Sequence, residues 1–563
     1  MNVERSRTRR AWILAGVVAA AAAAPYWSAL GNEFITWDDN IIILGQPFLR
    51  TLTLDNLWQV LSPVPAREEW LPLRDLTLLL NFAACGENAF AFVTVNIALH
   101  AAAAAAVFFL LLRLAGSWEA ALAGGLVFAL HAVHVESVTW LSGRKDPLSA
   151  IFIVTALIAH IRWRHGDGRY ATVLVLLGLA LLSKASAFVF PAYAAAYDLC
   201  YLRSLTWRKR IVPIVPYAVI AFAGIFTFLK LISADGVIED YPAGGLAAVL
   251  LTNVVLLRDY LVHLVLPLTH QAIYEVSFLT SIGSGRFLAA VAAHVLVAAA
   301  AWRWRRTRWA PFAALFFYAS FVPYLNIVPH GIYYAERYLY LPSIAFSLVV
   351  GVGVAAAFRA LSSAPRWRWA ATTGICVFLA AHAVLLSSRN PVWASSERFW
   401  SYQAAVLPRN PAPLMNLAET REAAGADEAA ARTYESVLAD FGEVPEAVFR
   451  LGRIAARHGD IEIARRLYLR HAELCPSDPR SQNNLAQTYL ATGQPEKAVE
   501  ILEPVIAAHP RYVLARANLA VALERCGRPE AARERWREVL ATADLLPQEP
   551  LVREARRRLG SER

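Results

Sequence analysis

Three short motifs carry the residue types that could do chemistry. In FITWDDNIIILGQP, Phe34 to Pro47, Asp38 and Asp39 stand side by side after Trp37. A carboxylate held at a lipid-water boundary can take a proton from a hydroxyl nucleophile, and partial desolvation raises its basicity. The structural alternative is that the pair caps a helix starting near Asn40, where carboxylates meet the helix dipole. In HAVHVESVTWLSGRKD, His131 and His134 are three residues apart and Glu136 follows two further on. This spacing puts both imidazoles on one helical face, as a divalent metal or a substrate would need, although Glu136 does not complete a zinc-protease pattern. Structural pairing at the head of a membrane helix is the simpler account. The same motif ends in Arg144, Lys145 and Asp146, and YYAERYLYLPS adds Glu336 and Arg337 amid Tyr333, Tyr334, Tyr338 and Tyr340. Arginine grips phosphate oxygens in a bidentate fork and lysine adds a point charge, so these clusters suit a lipid phosphate. Interfacial tyrosines alone would be an ordinary aromatic belt. Lys184, in LLSKASAF, either reaches the same pocket or snorkels to the interface.

The elements that must position these residues are mostly membrane helices. Of the 563 residues 57% are hydrophobic and 17% charged, which excludes an ordinary soluble protein. Between Ala11 and Ser388, apolar runs such as AWILAGVVAAAAAAPYWSAL recur; we count about ten to twelve passes of the length that crosses a hydrocarbon core. The first reads as a retained signal-anchor, since no small-residue cleavage site precedes GNEF. The net charge of +10 resides in clusters at the ends of apolar runs, not in a stripe with aromatics, so it marks topology and not nucleic acid binding. The five cysteines show neither a disulfide framework nor metal-ligand spacing.

Basic residues beside short loops stay cytoplasmic. ERSRTRR, RWRHGDGR, WRKR, RWRRTR and RWRW then share the inner side, and all three chemical motifs fall on the outer one. The arginine and lysine of SGRKD run against that bias and so call for a partner. Simple alternation requires Leu246–Leu268 to be a re-entrant or interfacial element, in which Arg258 and Asp259 can pair.

Past Arg389 the chain becomes charged, alanine-rich and helical. Gly425, Gly459, Gly493 and Gly527 are each 34 residues apart, and Leu417, Leu451, Leu485 and Leu519 keep the same period, as do the small residues Ala418, Gly452, Ala486 and Ala520. This is the tetratricopeptide period: glycine fits the turn between two helices, and stacked pairs leave a concave surface for a partner. The expected architecture is therefore all-α, with a polytopic membrane bundle over residues 1–389, whose first outer loop is 31–88, and a tetratricopeptide α-solenoid over 390–563. The segment after Leu545 is expected to cap the array. Span parity puts the array on the outer side, and the alanine- and arginine-rich composition fits a bacterial inner membrane with the array in the periplasm.

Taken in order, FITWDDNIIILGQPFL, WLPLRDLTLLLNF, NIALHAAAAAAVFFLLL, HAVHVESVTWLSGRKDPLSAIF, YYAERYLYLPSIAF and the 34-residue repeats resemble the transmembrane-and-tetratricopeptide-repeat (TMTC) family of GT-C glycosyltransferases, over nearly the whole chain. The resemblance implies transfer of a sugar, commonly mannose, from a polyprenyl-phosphate carrier to a serine or threonine hydroxyl on the non-cytoplasmic side. It implies that Asp38, with Asp39 beside it, activates the acceptor, and that Arg337, Arg144 and Lys145 hold the carrier phosphate. Asp146, Glu136, Glu336, Tyr334, His131 and His134 join them as candidate substrate-binding residues. No metal is demanded, because Lys and Arg can neutralise the phosphate charge, although some GT-C enzymes use one. Two positions depart from the family pattern: Ala132 stands where a proline is common, and Val93 where a histidine is common. The competing class is a non-catalytic membrane scaffold that anchors a tetratricopeptide interaction module. A transporter would need an internal repeat among the spans, which the sequence lacks.

Overall fold

The computed structural model describes residues 2–63, 69–234, 240–242, 244–329, 331–541 and 549–560. Val64 at the end of the amphipathic stretch TLDNLWQVLSPV, His330 and residues 545–548 lie outside the described residues. Every regular element among the described residues is helical. The chain divides into two compact units, Met1–Phe399 and Trp400–Arg563.

Seven helices in the first unit are long and apolar enough to cross a membrane, making this an integral membrane protein. They are Ser6–Gly31, Ala89–Ala115, Leu141–Arg164, Gly245–Val265, Gly285–Arg303, Ser343–Ala360 and Pro365–Trp393. An eighth apolar stretch is broken: Trp118–Leu130 and Ala132–Thr139 meet at 46°. The larger count from sequence has a local cause. Tyr170–Ser183 and Val215–Leu231 are apolar but shorter, and the first of them stops where Lys184 turns extended before a short 3-10 turn and Pro191.

Gly245–Val265 is one unbroken helix, long enough to cross where a re-entrant or interfacial element was expected. Its flanks bond to segments distant in sequence. Tyr241 donates to the Ile327 carbonyl, while the Pro267 and Thr269 carbonyls accept from Arg389, whose guanidinium also reaches the carbonyl of Ala132. Arg258 does pair with Asp259, at 2.8 Å.

The bend at residue 131 redirects the chain toward the polar motif after it. His131 is extended (φ −67°, ψ 126°), so the Trp118–Leu130 helix ends and a 3-10 turn, Ala132–His134, leads into Val135–Thr139. Trp118–Leu130 packs very closely on Ser343–Ala360. A Cβ on Gly124 would lie 2.5 Å from the Ser347 carbonyl, and one on Gly351 2.3 Å from that of Ala120. Only glycine at both positions lets these backbones approach so closely.

In the second unit four helix pairs follow in order, Pro411–Ala423 with Asp427–Phe441 being the first and Val513–Arg525 with Pro529–Ala541 the last, and Glu549–Leu559 comes after them. The four repeat glycines have φ of 71° to 86°, the left-handed conformation that closes a helix without a Cβ penalty. Ala418, Ala486 and Ala520 are fully buried, and a Cβ on Gly452 would sit 2.8 Å from the Tyr468 ring, so the small-residue phase is a packing requirement.

Candidate active site

Asp38 and Asp39 occupy a short turn that ends in a single π-helical turn, Asn40–Leu44. Neither side chain caps it. Asp39 is fully buried and points away: its Oδ2 accepts from the Ile35 amide at 3.1 Å, and its Oδ1 from the Ser142 amide at 3.0 Å and the Ser142 hydroxyl at 2.5 Å. Burial pushes the carboxyl up to about 6 against the pull of those hydrogen bonds. Asp39 therefore fastens the acidic turn to the turn that opens the Lys145–Arg164 helix.

That second turn divides its basic pair. Arg144, expected on the outer surface, is fully buried and gives its N–H groups to neutral acceptors: Asn96 Oδ1 at 3.1 Å, Asn81 Oδ1 at 2.7 Å, Thr77 Oγ1 at 3.3 Å and the Phe92 carbonyl at 3.2 Å. It staples Pro72–Cys85 to Ala89–Ala115 from a fully buried position. Lys145 turns the other way, and its Nζ lies 2.8 and 2.9 Å from the two oxygens of Glu69. One position further, Asp146 pairs with Lys184 through Oδ1, while its Oδ2 is buried without a partner.

The third motif divides the same way. Glu336 is fully buried and accepts from His270 at 2.9 Å, Tyr274 at 2.7 Å and the Gln271 amide at 3.2 Å. Burial opposes its charge, but His270, His263 and Arg389 hold the carboxyl at about 2. Arg337 faces the opposite way and is clamped by Glu136, which pairs with the guanidinium through Oε1 and accepts the Arg337 amide through Oε2 at 2.8 Å. The bend at His131 delivers Glu136 to that position.

The divided motifs meet in one cavity of about 440 Å³. Its polar wall carries Asp38, Glu69, Lys145, Lys184, Ser186 and Arg337. Phe188, Ile225 and Phe228 supply an apolar wall, and Trp140 and Tyr338, which flank the Arg337 guanidinium at 5.7 and 5.3 Å, complete the lining beside it. Burial raises the Asp38 carboxyl above its usual range; Lys145 and Arg337 pull it down, Glu69 raises it and Arg74 lowers it. Partial burial opposes the charge of Glu69, yet Lys145 and Arg74 hold it at about 2. Asp38 is thus the more basic of the two carboxylates on the wall, and its side chain has no hydrogen-bond partner among the described residues. Ser186 Oγ and Trp140 Nε1 are likewise buried and unpartnered.

His131, His134, Tyr334, Glu336, Arg144 and Asp39 do not line this cavity. The histidine rings lie 6.1 Å apart and bond to different partners, His131 to the Leu264 carbonyl and His134 to the Ser343 hydroxyl. Tyr334 stacks on Tyr260 at 4.1 Å, and its hydroxyl lies 3.3 Å from His263 Nδ1. Among the described residues no group of three or more His, Cys, Asp or Glu is arranged to hold a metal. Two wall residues carried little sequence signal: Glu69, whose only mark is EEW where the loop returns to the membrane, and Ser186, two residues after Lys184. A larger groove of about 610 Å³, among Gly245–Val265, Gly285–Arg303, Trp309–Ser320 and Ser343–Ala360, is apolar throughout and holds none of the candidate residues.

Comparison with known proteins bears on both units. Residues 408–479 and 489–559 each match a family model described as tetratricopeptide repeat. A Caenorhabditis elegans protein O-mannosyl-transferase, F38B6.6, is 25% identical over 60% of this chain and 50% of its own length. The Drosophila melanogaster protein O-mannosyl-transferase Tmtc2 is 32% identical over 31% of this chain and 20% of its own, and the human TMTC2 is 26% identical over 35% and 25%. The chain is similar to the TMTC protein O-mannosyl-transferases. Like them it combines a bundle of membrane-length helices with a tetratricopeptide solenoid. It spans half the length of the worm relative and a fifth to a quarter of the fly and human ones in these matches. Among solved structures, MamA is 20% identical with a TM-score of 0.24, covering 26% of this chain and 81% of the MamA chain. YrrB, described as a TPR protein with an unusual peptide-binding site, is 18% identical with a TM-score of 0.25, covering 31% and 89%.

Proposed function

We propose that this chain is a membrane glycosyltransferase that moves a hexose, with mannose foremost, from a polyprenyl-phosphate carrier to a protein serine or threonine hydroxyl. The observation that supports this reading is the single cavity in which a basic carboxylate, three cations and an apolar wall come together. An amphipathic donor needs both kinds of wall: cations for its phosphate and hydrocarbon for the start of its tail. Asp38 takes the proton of the acceptor hydroxyl. The acceptor oxygen then bonds to the anomeric carbon as the bond from that carbon to the phosphate oxygen breaks. The electron pair leaves with the polyprenyl phosphate, whose charge Arg337 and Lys145, together with Lys184, stabilise. Direct displacement inverts the anomeric centre and forms no sugar-enzyme intermediate. Asp39, Arg144, Glu136 and Glu336 act behind the wall, holding its members in place.

In this reading the solenoid recruits the protein acceptor, the membrane is a bacterial inner membrane, and the array stands in the periplasm. Mass spectrometry of exported proteins from cells with and without this chain tests the proposal: a hexose on Ser or Thr should be lost without it. A glycosylation pattern that survives both deletion and the Asp38→Asn, Asp39→Asn double variant would favour the non-catalytic scaffold.

A further inference from the structure

Asp38 is held from a direction that none of the three motifs reveals. Residues 390–399, which follow the α-helix Pro365–Arg389, pack along residues 25–37. Asn390 donates to the Pro25 carbonyl at 2.8 Å and to the Ser28 hydroxyl at 3.1 Å. The Glu33 amide donates to the Ala394 carbonyl at 2.9 Å, and the Thr36 amide to the Ser396 hydroxyl at 2.8 Å. Trp37 then sits between two rings. It stacks on Trp140, a cavity-wall residue, at 5.0 Å and 22°, and on Phe399 at 5.3 Å and 28°. Trp393, 6.1 Å from Trp37 and 6.2 Å from Trp140, backs both and is itself fixed by its Nε1, which donates to His270 at 3.2 Å. Phe399 and Trp393 are almost completely buried.

We infer that Ser396 and Phe399, with Trp393 behind them, are positioning residues for Asp38: they fix the Thr36–Trp37 backbone and ring, and so aim the adjoining carboxylate into the cavity. Packing for stability alone would account for the aromatic stack. It does not account for a side-chain hydroxyl more than 350 residues away in sequence accepting a main-chain amide two residues before the base. Asp39 fastens the turn on its far side through Ile35 and Ser142. Asp38 is therefore gripped from both directions while its own carboxylate stays free.

The inference rests on Asp38 being the base, and two readouts keep the claims separable. The first is steady-state transfer by the full-length protein in detergent, with polyprenyl-phosphate mannose as donor and a serine/threonine peptide as acceptor. The second is the rate at which a water-soluble carbodiimide and an amine label Asp38, read by mass spectrometry, with thermal unfolding as the control for folding. Ser396→Ala and Phe399→Ala should lower kcat by about tenfold or more, leave the donor KM within about twofold, and raise Asp38 labelling severalfold, as small misplacements of a reacting group do. Ser396→Thr, which keeps the acceptor oxygen, should restore both readouts. Should Phe399→Ala fail to fold, the half-exposed Ser396 and its two variants decide alone. Wild-type kcat and wild-type Asp38 labelling in folded Ser396→Ala would overturn the inference. Labelling that rises in a protein whose wild type transfers no sugar would uphold the positioning and remove the assignment of Asp38 as base.

Discussion

The cavity wall and the layer behind it are built from the same three motifs, one neighbour to each. Asp38 faces the cavity and Asp39 the scaffold; Lys145 faces the cavity and Arg144 the scaffold; Arg337 faces the cavity and Glu336 the scaffold. The difference lies in how each charge is satisfied. Scaffold members use their hydrogen-bonding capacity internally, as Arg144 does on four neutral acceptors and Glu336 on three donors. Wall members keep a face open, and the Asp38 carboxylate keeps both oxygens. Adjacent charges in a turn point in opposite directions, so one dipeptide supplies both a cavity-facing charge and the anchor that holds it still.

Substitutions should separate the two layers. The largest effect falls on the wall: Asp38→Asn should lower the transfer rate by about 10³-fold, within the range for a lost general base. Its unfolding temperature should stay at the wild-type value. Asp39→Ala should do the reverse in character, orphaning the Ile35 and Ser142 donors and destabilising by about 2 kcal/mol or more, read as a fall in unfolding temperature. A rate loss of equal size in a fully stable Asp39→Ala protein would break the comparison.

The next pair is Arg144 and Lys145. Arg144→Met leaves the Oδ1 atoms of Asn81 and Asn96 without their donor in the interior and should cost about 3 kcal/mol of stability. Lys145→Met, beside a partly exposed Glu69, should change stability little. It should raise the donor KM by about tenfold, the worth of one charge-assisted contact to phosphate. The smallest effect is on pH. Asp38 must be ionised to accept a proton, and Glu69 is among the groups that raise its pKa. Removing that negative charge in Glu69→Gln therefore lowers the Asp38 pKa, and the acid limb of the pH–rate profile should move to lower pH. A shift upward would mean that another group controls that limb.

The solenoid was legible almost to the residue because its signal repeats. A glycine every 34 residues answers one physical need, a left-handed turn, four times over, and the small-residue phase answers another. The membrane bundle was legible as a class and less so in its count, since apolar composition does not show where Lys184 or His131 interrupts a helix. The site was legible as motifs but not as directions. Asp38 and Asp39 lie in a turn with no period, so nothing local says which of them meets Ser142. Arg144 carries a charge that composition assigns to the surface, and only the distant Asn81 and Asn96 explain its burial. Glu69 was missed because its meaning lies in Lys145, 76 residues away.

The central claim is spatial: the head group of a lipid-linked sugar sits in the cavity between Asp38 and the cations. A structure of the full-length protein with a non-hydrolysable polyprenyl phosphonate sugar bound in lipid nanodiscs tests it directly. The expected result places the phosphonate oxygens within hydrogen-bonding distance of Arg337 and Lys145, the anomeric carbon toward Asp38, and the first isoprene units along Phe188, Ile225 and Phe228. Density for the head group elsewhere, with this cavity empty or filled by lipid tail, would contradict it.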